Sequence, residues 1–235
     1  MTRHPDRKPD PPFEPEAART LLERGTRALG LDLTAGQGEQ FLAYLDLLLK
    51  WNRRINLTSL RTPDEIISRH FLDSLLLLPH LPETGRLLDI GSGAGFPGLP
   101  LKIVRPGLSV DLVEATAKKA SFLKEAVRRL GLPGVNVFTV FLGEEPLPLE
   151  PTEPWDVFLS RGVSMEVVLK AVAPYWGPTQ RLLLMKGPGW REEIKSEASF
   201  LKKHQVQAPE PLIVKNPLSA REGIVVIFRK TGMVG

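Results

Sequence analysis

The chain has 235 residues, a formal net charge of +4, 42% hydrophobic and 25% charged residues, and no cysteine. That length suits one α/β domain with a small addition around a sizeable core, and the lack of cysteine excludes disulfides, thiolate–zinc sites and cysteine nucleophiles. The mild positive charge is compatible with a polyanionic partner, but many unrelated enzymes share it. Residues 1–15 are polar and proline-rich, lack the apolar stretch of a signal peptide, and read as a disordered tail. No apolar run reaches membrane-spanning length; the longest candidate, Leu75–Leu78, ends at Pro79. The protein is therefore expected in the cytoplasm, with no membrane partner.

Residues 16–85 read as helical. Glu16 to Leu29 carries Ala17, Leu21, Leu22, Ala28 and Leu29 at helical spacing, with Gly30 as a stop. Thr34 and Gln37 have capping-box spacing ahead of a stripe of Phe41, Leu42, Leu45, Leu48 and Leu49. Thr62, Pro63 and Glu65 supply a cap, a first-turn proline and a box glutamate for a helix running towards Leu78. From residue 86 to 235 the pattern changes to short β-rich runs alternating with helical ones. Strands are expected at Arg86–Ile90, Ser109–Glu114, Val135–Val140, Trp155–Ser160 and Arg181–Lys186, with a closing pair at Pro211–Val214 and Gly223–Phe228. Thr116–Leu130 is an amphipathic helix stopped by Gly131. This alternation implies a mostly parallel sheet with helices on both faces.

The most informative segment is Leu87–Gly98, in which an apolar strand ends in Asp89 and Ile90 and enters a turn containing Gly91, Gly93 and Gly95. Glycines let the backbone turn sharply and let a ligand approach it closely. S-adenosylmethionine (AdoMet) carries a cationic ammonium and no phosphate, so Asp89 can hold that end, directly or through water. Glu114, ending the next strand, can accept hydrogen bonds from ribose hydroxyls. Gly93, Gly95 and Gly98 also fit the dinucleotide pattern, which keeps an NAD-dependent oxidoreductase open as an alternative. Three observations favour AdoMet. Asp89 suits a cation better than a pyrophosphate, Pro97 offers no N–H to a phosphate, and no second cofactor-domain signal follows the helical first third.

The turn after the fourth strand, Ser160-Arg161-Gly162-Val163, lacks the Asn/Asp-Pro-Pro-aromatic motif usual in adenine amino-methyltransferases, and a cytosine-C5 enzyme needs a cysteine. A ring nitrogen such as guanine N7 fits better, because it has a free lone pair and no proton to lose. Alignment alone can lower such a barrier by roughly 7–11 kcal/mol.

Three blocks, Trp51-Asn52-Arg53-Arg54-Ile55-Asn56-Leu57-Thr58-Ser59-Leu60, Arg69-His70-Phe71-Leu72-Asp73-Ser74-Leu75 and Asp89 to Gly98, closely resemble the bacterial 16S rRNA guanine-N7 methyltransferase family. The resemblance runs from about Phe41 to Phe228. It implies a Rossmann-like AdoMet-dependent methyltransferase fold, with seven strands of which the last is antiparallel, and a helical N-terminal cap. It further implies AdoMet without a metal, and a guanine in the decoding-region loop of 16S rRNA, or of the small ribosomal subunit, as acceptor. A monomer is expected. By position, Gly91 and Phe96 fall on AdoMet contacts, Gly143 and Glu144 on the pair flanking the adenine, Arg161 beside AdoMet, and Lys186 on the lysine ending strand five. Two positions depart from the family pattern: Leu142 stands where arginine is usual, and Arg221-Glu222-Gly223 replaces an Arg-His pair. These departures keep a second alternative open, a non-catalytic RNA-binding module on the same fold.

Arg161, Lys186, Asn56 and His70 are the catalytic candidates. Each has a plainer role to be weighed against. His70 can be a satisfied structural histidine, Asn56 and Asp73 can cap turns, and Trp51 can be core. Arg53, Arg54 and Arg61, like Lys118, Lys119, Lys124, Arg128 and Arg129, can be solvated faces. Arg161 is the exception, because a buried guanidinium needs an anionic partner.

Overall fold

The computed structural model describes residues 13–141, 147, 153–219 and 222–231. Helix α1 (Pro15–Ala28) opens the chain and α2 (Ala35–Asn52) follows. The expected capping box forms: the Thr34 side chain accepts from the Gln37 amide, and the Gln37 side chain accepts from the Thr34 amide. The second box, Thr62 with Glu65, starts α3 (Pro63–Ile66). The helix expected from there is not uniform. It loosens into a π-helical turn, Ile67–Leu72, before returning to α4 (Asp73–Leu75) and a 3₁₀ turn at Leu78–His80. Periodicity of apolar residues cannot register an inserted π turn, which is a common device at functional positions.

Seven strands make one sheet in the order β3-β2-β1-β4-β5-β7-β6. They are β1 (Gly85–Ile90), β2 (Leu108–Glu114), β3 (Val135–Thr139), β4 (Val157–Arg161), β5 (Arg181–Lys186), β6 (Glu210–Lys215) and β7 (Glu222–Arg229). β1 to β5 pair in parallel, and β7 is antiparallel to both β5 and β6. The fold class and the antiparallel last strand are as the sequence implies.

Helices cover both faces. On one, α1 and α2 pack with α5 (Gly98–Val104) and α6 (Ala117–Leu130) in a core that includes Leu22, Phe41, Leu48, Phe71, Leu87, Leu112, Phe122 and Leu159. On the other lie α7 (Met165–Val172), α8 (Trp190–Ser196) and α9 (Ala198–Lys203), packed with Leu88, Phe158, Leu182 and Phe228. Full burial of such a side chain contributes about 1.5–3 kcal/mol, so the helical N-terminal region and the sheet stabilise each other. Trp51 belongs to this packing, edge-on to Phe122 with ring centroids 5.7 Å apart.

The register brings the carboxyl ends of β1, β2, β4 and β5 to one edge, where Ile90 is level with Val113 and Ser160, and Arg161 with Met185. Strand order reverses between β1 and β4, and open α/β sheets hold ligands outside such a switch point.

Candidate functional site

The glycine loop joins β1 to α5 at that edge. Gly91 and Ser92 donate their amides to the Val113 carbonyl, and Gly95 and Phe96 donate theirs to the Ser92 carbonyl. Gly95 has φ +96°, and a Cβ there would lie 2.5 Å from Leu99 Cδ1 and 2.7 Å from the Tyr44 hydroxyl, so only glycine fits. At Gly93, with φ +59°, a Cβ would meet only the Gly91 carbonyl, at 3.9 Å; the backbone is bare on that side.

Glu114 braces this loop. Its Oε2 accepts from the Gly93 amide at 2.9 Å and its Oε1 from the Thr116 amide at 2.8 Å, and the residue is 6% exposed. Asp89, expected to hold an ammonium directly or through water, lies beneath the loop. It is wholly buried, and its Oδ2 accepts from the Gly98 amide at 2.9 Å, because strand alternation turns it under the loop. Burial pushes its carboxyl up to about 7, and its Oδ1 has no partner. A buried carboxylate with an orphan oxygen is a group that a nearby cationic ligand completes, and the bare edge at Gly93 leaves room for one. These residues fit AdoMet; Gly91, Gly93 and Glu114 would hold it, with Asp89 beneath.

Phe96 leads from the loop to the helical region. Its ring stacks on Tyr44 and, at 4.4 Å between centroids, on His70. The Tyr44 hydroxyl donates to the Ala94 carbonyl, fixing the loop to α2. His70 Nε2 lies 2.7 Å from Thr58 Oγ1, while its buried Nδ1 has no partner. Burial, helped by the nearby Arg161 guanidinium, pushes the imidazole down to about 3, so it is neutral at ordinary pH.

Arg161, at the end of β4, donates through Nη2 to the Arg69 carbonyl at 2.6 Å and to Asp73 Oδ2 at 3.4 Å; its buried Nη1 has no partner. An ion pair with Asp73 is therefore present, and half of the guanidinium lies outside it. Asp73 Oδ1 accepts from Asn216 Nδ2 at 2.7 Å, and that same amide donates to the Ser68 carbonyl. Burial raises the Asp73 carboxyl, against the lowering effect of Asn216 and Arg161. Arg161 and Asp73 border a cleft of about 270 Å³ between α4 and the ends of β4, β5, β6 and β7. Lys186 also lines it, but its ammonium is committed to the Val163 carbonyl at 2.8 Å and Glu193 Oε2 at 2.7 Å.

The other candidates lie elsewhere. Asn56 is exposed and its Oδ1 accepts from Arg61 at 3.3 Å; it is not among the residues bordering the cleft. The buried asparagine of that block is Asn52, whose Nδ2 donates to the Leu60 carbonyl and whose Oδ1 accepts from Leu57 and Thr58. Arg53 and Arg54 are exposed, as are Lys118, Lys124, Arg128 and Arg129. Gly143, Glu144, Leu142 and Arg221 lie outside the described residues. Sequence reasoning passed over Tyr44, Asn52 and Asn216. Only Asn52 left a trace, as an amide at the end of an apolar helix.

The family model for rRNA small subunit methyltransferase G, GidB, matches residues 37–218. This chain belongs to that family. The ribosomal RNA small subunit methyltransferase G of Desulfotalea psychrophila is 39% identical over 88% of this chain and 96% of its own length. That of Methylobacillus flagellatus is 42% identical over 75% of this chain and 84% of its own. Among solved structures, a SAM-dependent methyltransferase from Aquifex aeolicus aligns with a TM-score of 0.54 at 20% identity, covering 71% of this chain and 93% of that one. That likeness speaks for the fold. Neither the oxidoreductase nor the non-catalytic alternative finds support in these matches. As a GidB-family chain, it places its glycine loop, Glu114, Arg161 and the cleft along one sheet edge.

Proposed function

We propose that this protein transfers a methyl group from AdoMet to N7 of a guanine in the decoding-region loop of 16S rRNA, acting as a cytoplasmic monomer on the RNA or the small subunit. The observation that carries the reading is the adjacency, in a chain of this family, of a bare glycine loop braced by Glu114 to a cleft holding Arg161 and Asp73. Residues 16–85 serve as a cap that supplies His70 and Asp73 to the site. Bound AdoMet supplies an electrophilic methyl on a sulfonium. The chain's own residues have an undemanding acid–base task, since guanine N7 carries no proton. A neutral His70 and an ammonium paired with Glu193 are consistent with a site that aligns rather than titrates. The purine gains positive charge as it reacts, and the fixed carboxylate of Asp73 in the cleft favours that charge without reorganising.

Calorimetry with AdoMet and with NAD tests the cofactor: binding of AdoMet alone is expected, and binding of NAD alone overturns the reading. Transfer of labelled methyl to unmodified small subunits separates an enzyme from a non-catalytic RNA-binding module.

A further inference from the structure

The cleft beside Arg161 has a chemistry the methyl-transfer reading does not by itself require. Resting on that reading, we propose that this cleft seats the target guanine, and that Asp73 determines specificity by accepting from the N1–H and the exocyclic amine of the base.

The cleft, about 270 Å³, is small beside the roughly 300–1,000 Å³ of sites for drug-sized ligands. That size suits one base and excludes a stacked run, so the nucleotide must leave its stack to enter. Leu76, Met185, Val214 and Ile224 give its lining apolar surface against which a ring can pack. A Cβ at Gly162 or Gly187 would meet nothing within 4 Å, so both positions border open space.

Asp73 is the one carboxylate among the described residues lining the cleft. It is held from two sides, by Asn216 on Oδ1 and Arg161 on Oδ2. A carboxylate has about four acceptor sites, so each oxygen keeps capacity for a further donor. Of the four RNA bases, guanine alone presents two adjacent donors, N1–H and the 2-amino group, to such a fork. Adenine would present a lone pair to it and be repelled. This edge of guanine lies across the ring system from N7, so holding it leaves N7 free to react.

The test compares small subunits reconstituted with 16S rRNA bearing guanosine or inosine at the methylated position. Inosine keeps N1–H and N7 but lacks the 2-amino group. The wild-type protein should methylate inosine with kcat/KM lower by about tenfold or more, the effect of one missing bond to a charged acceptor. Asp73→Asn keeps the shape but sets a donor against a donor. It should lower kcat/KM on guanosine at least tenfold and bring the guanosine-to-inosine ratio close to one, with AdoMet affinity by calorimetry unchanged. A purely structural partner of Arg161 would not move that ratio. Equal rates on the two substrates for the wild type, or an unchanged ratio in the variant, overturn the proposal. No transfer to guanine N7 by the wild type defeats the underlying function instead.

Discussion

Glu114→Gln separates support of the loop from binding of the ligand. In the wild type each carboxylate oxygen accepts one backbone amide, Gly93 on Oε2 and Thr116 on Oε1. Glutamine keeps one acceptor and sets its NH₂ against the other amide. One bond to a charged group is lost, worth about 1.5–3 kcal/mol of stability. For a chain of this size each kcal/mol moves Tm by about 2–4 °C, so the ligand-free protein should melt roughly 3–12 °C lower. The carboxylate also has lone pairs free for the ribose hydroxyls. Their loss should weaken AdoMet binding by about tenfold or more, a factor of ten being about 1.4 kcal/mol. Calorimetry well below the lowered Tm, on the preparation used for the melt, reads both effects. An AdoMet Kd within about twofold of wild type, with a lowered Tm, would show that Glu114 only braces the loop. An unchanged Tm would refute the account of the loop itself.

Arg161→Lys shortens the arm that reaches the Arg69 carbonyl and Asp73 and removes Nη1, the part of the fork outside those bonds; Tm should fall by a few degrees and methyl transfer per folded molecule at least tenfold, and normal activity per folded molecule would show the arginine to be structural. Gly95→Ala forces a Cβ against Leu99 and Tyr44 at positive φ, so it should cost at least about 2 kcal/mol; a urea midpoint equal to wild type would contradict the geometry. His70 is held neutral, its pKa lowered from 6.5 to about 3. The unfolded chain therefore binds a proton the folded one resists, and stability due to His70 is complete above about pH 6.5 and is lost as pH falls towards 3. Asp89, raised to about 7, acts with the opposite sign, its stability fading as pH rises from about 4 to 7. Urea midpoints of wild type and His70→Gln should accordingly converge as pH drops from 7 to 4; a constant difference would mean that His70 does not titrate as described.

Much of the scaffold was legible because it rests on local rules. Two capping boxes, Thr34 with Gln37 and Thr62 with Glu65, form as spaced, and β5 covers the expected Arg181–Lys186. Strand ends elsewhere shift by a residue or two, as at β4, which runs on to Arg161. Short helices such as α8 and α9 left no periodicity long enough to read. The site was legible as a glycine loop with acids, but the direction of each acid was not. Asp89 faces the Gly98 amide because of strand alternation and a turn whose path only the fold reveals. Asn216 acts on Ser68 and Asp73, which lie 148 and 143 residues away in the chain, and no local pattern announces a partner at that distance. The asparagine block shows the same limit. Asn52 and Asn56 look equivalent in sequence, yet one is buried and ties three backbone groups while the other is exposed on Arg61.

The most direct test of the central claim is a map of modified nucleotides in 16S rRNA from cells with and without this protein. One N7-methylguanine in the decoding-region loop is expected to vanish without the protein and to return when its small subunits are incubated with the purified protein and AdoMet. A map unchanged by loss of the protein, or restoration of a methyl group on another atom or another RNA, would contradict the assignment.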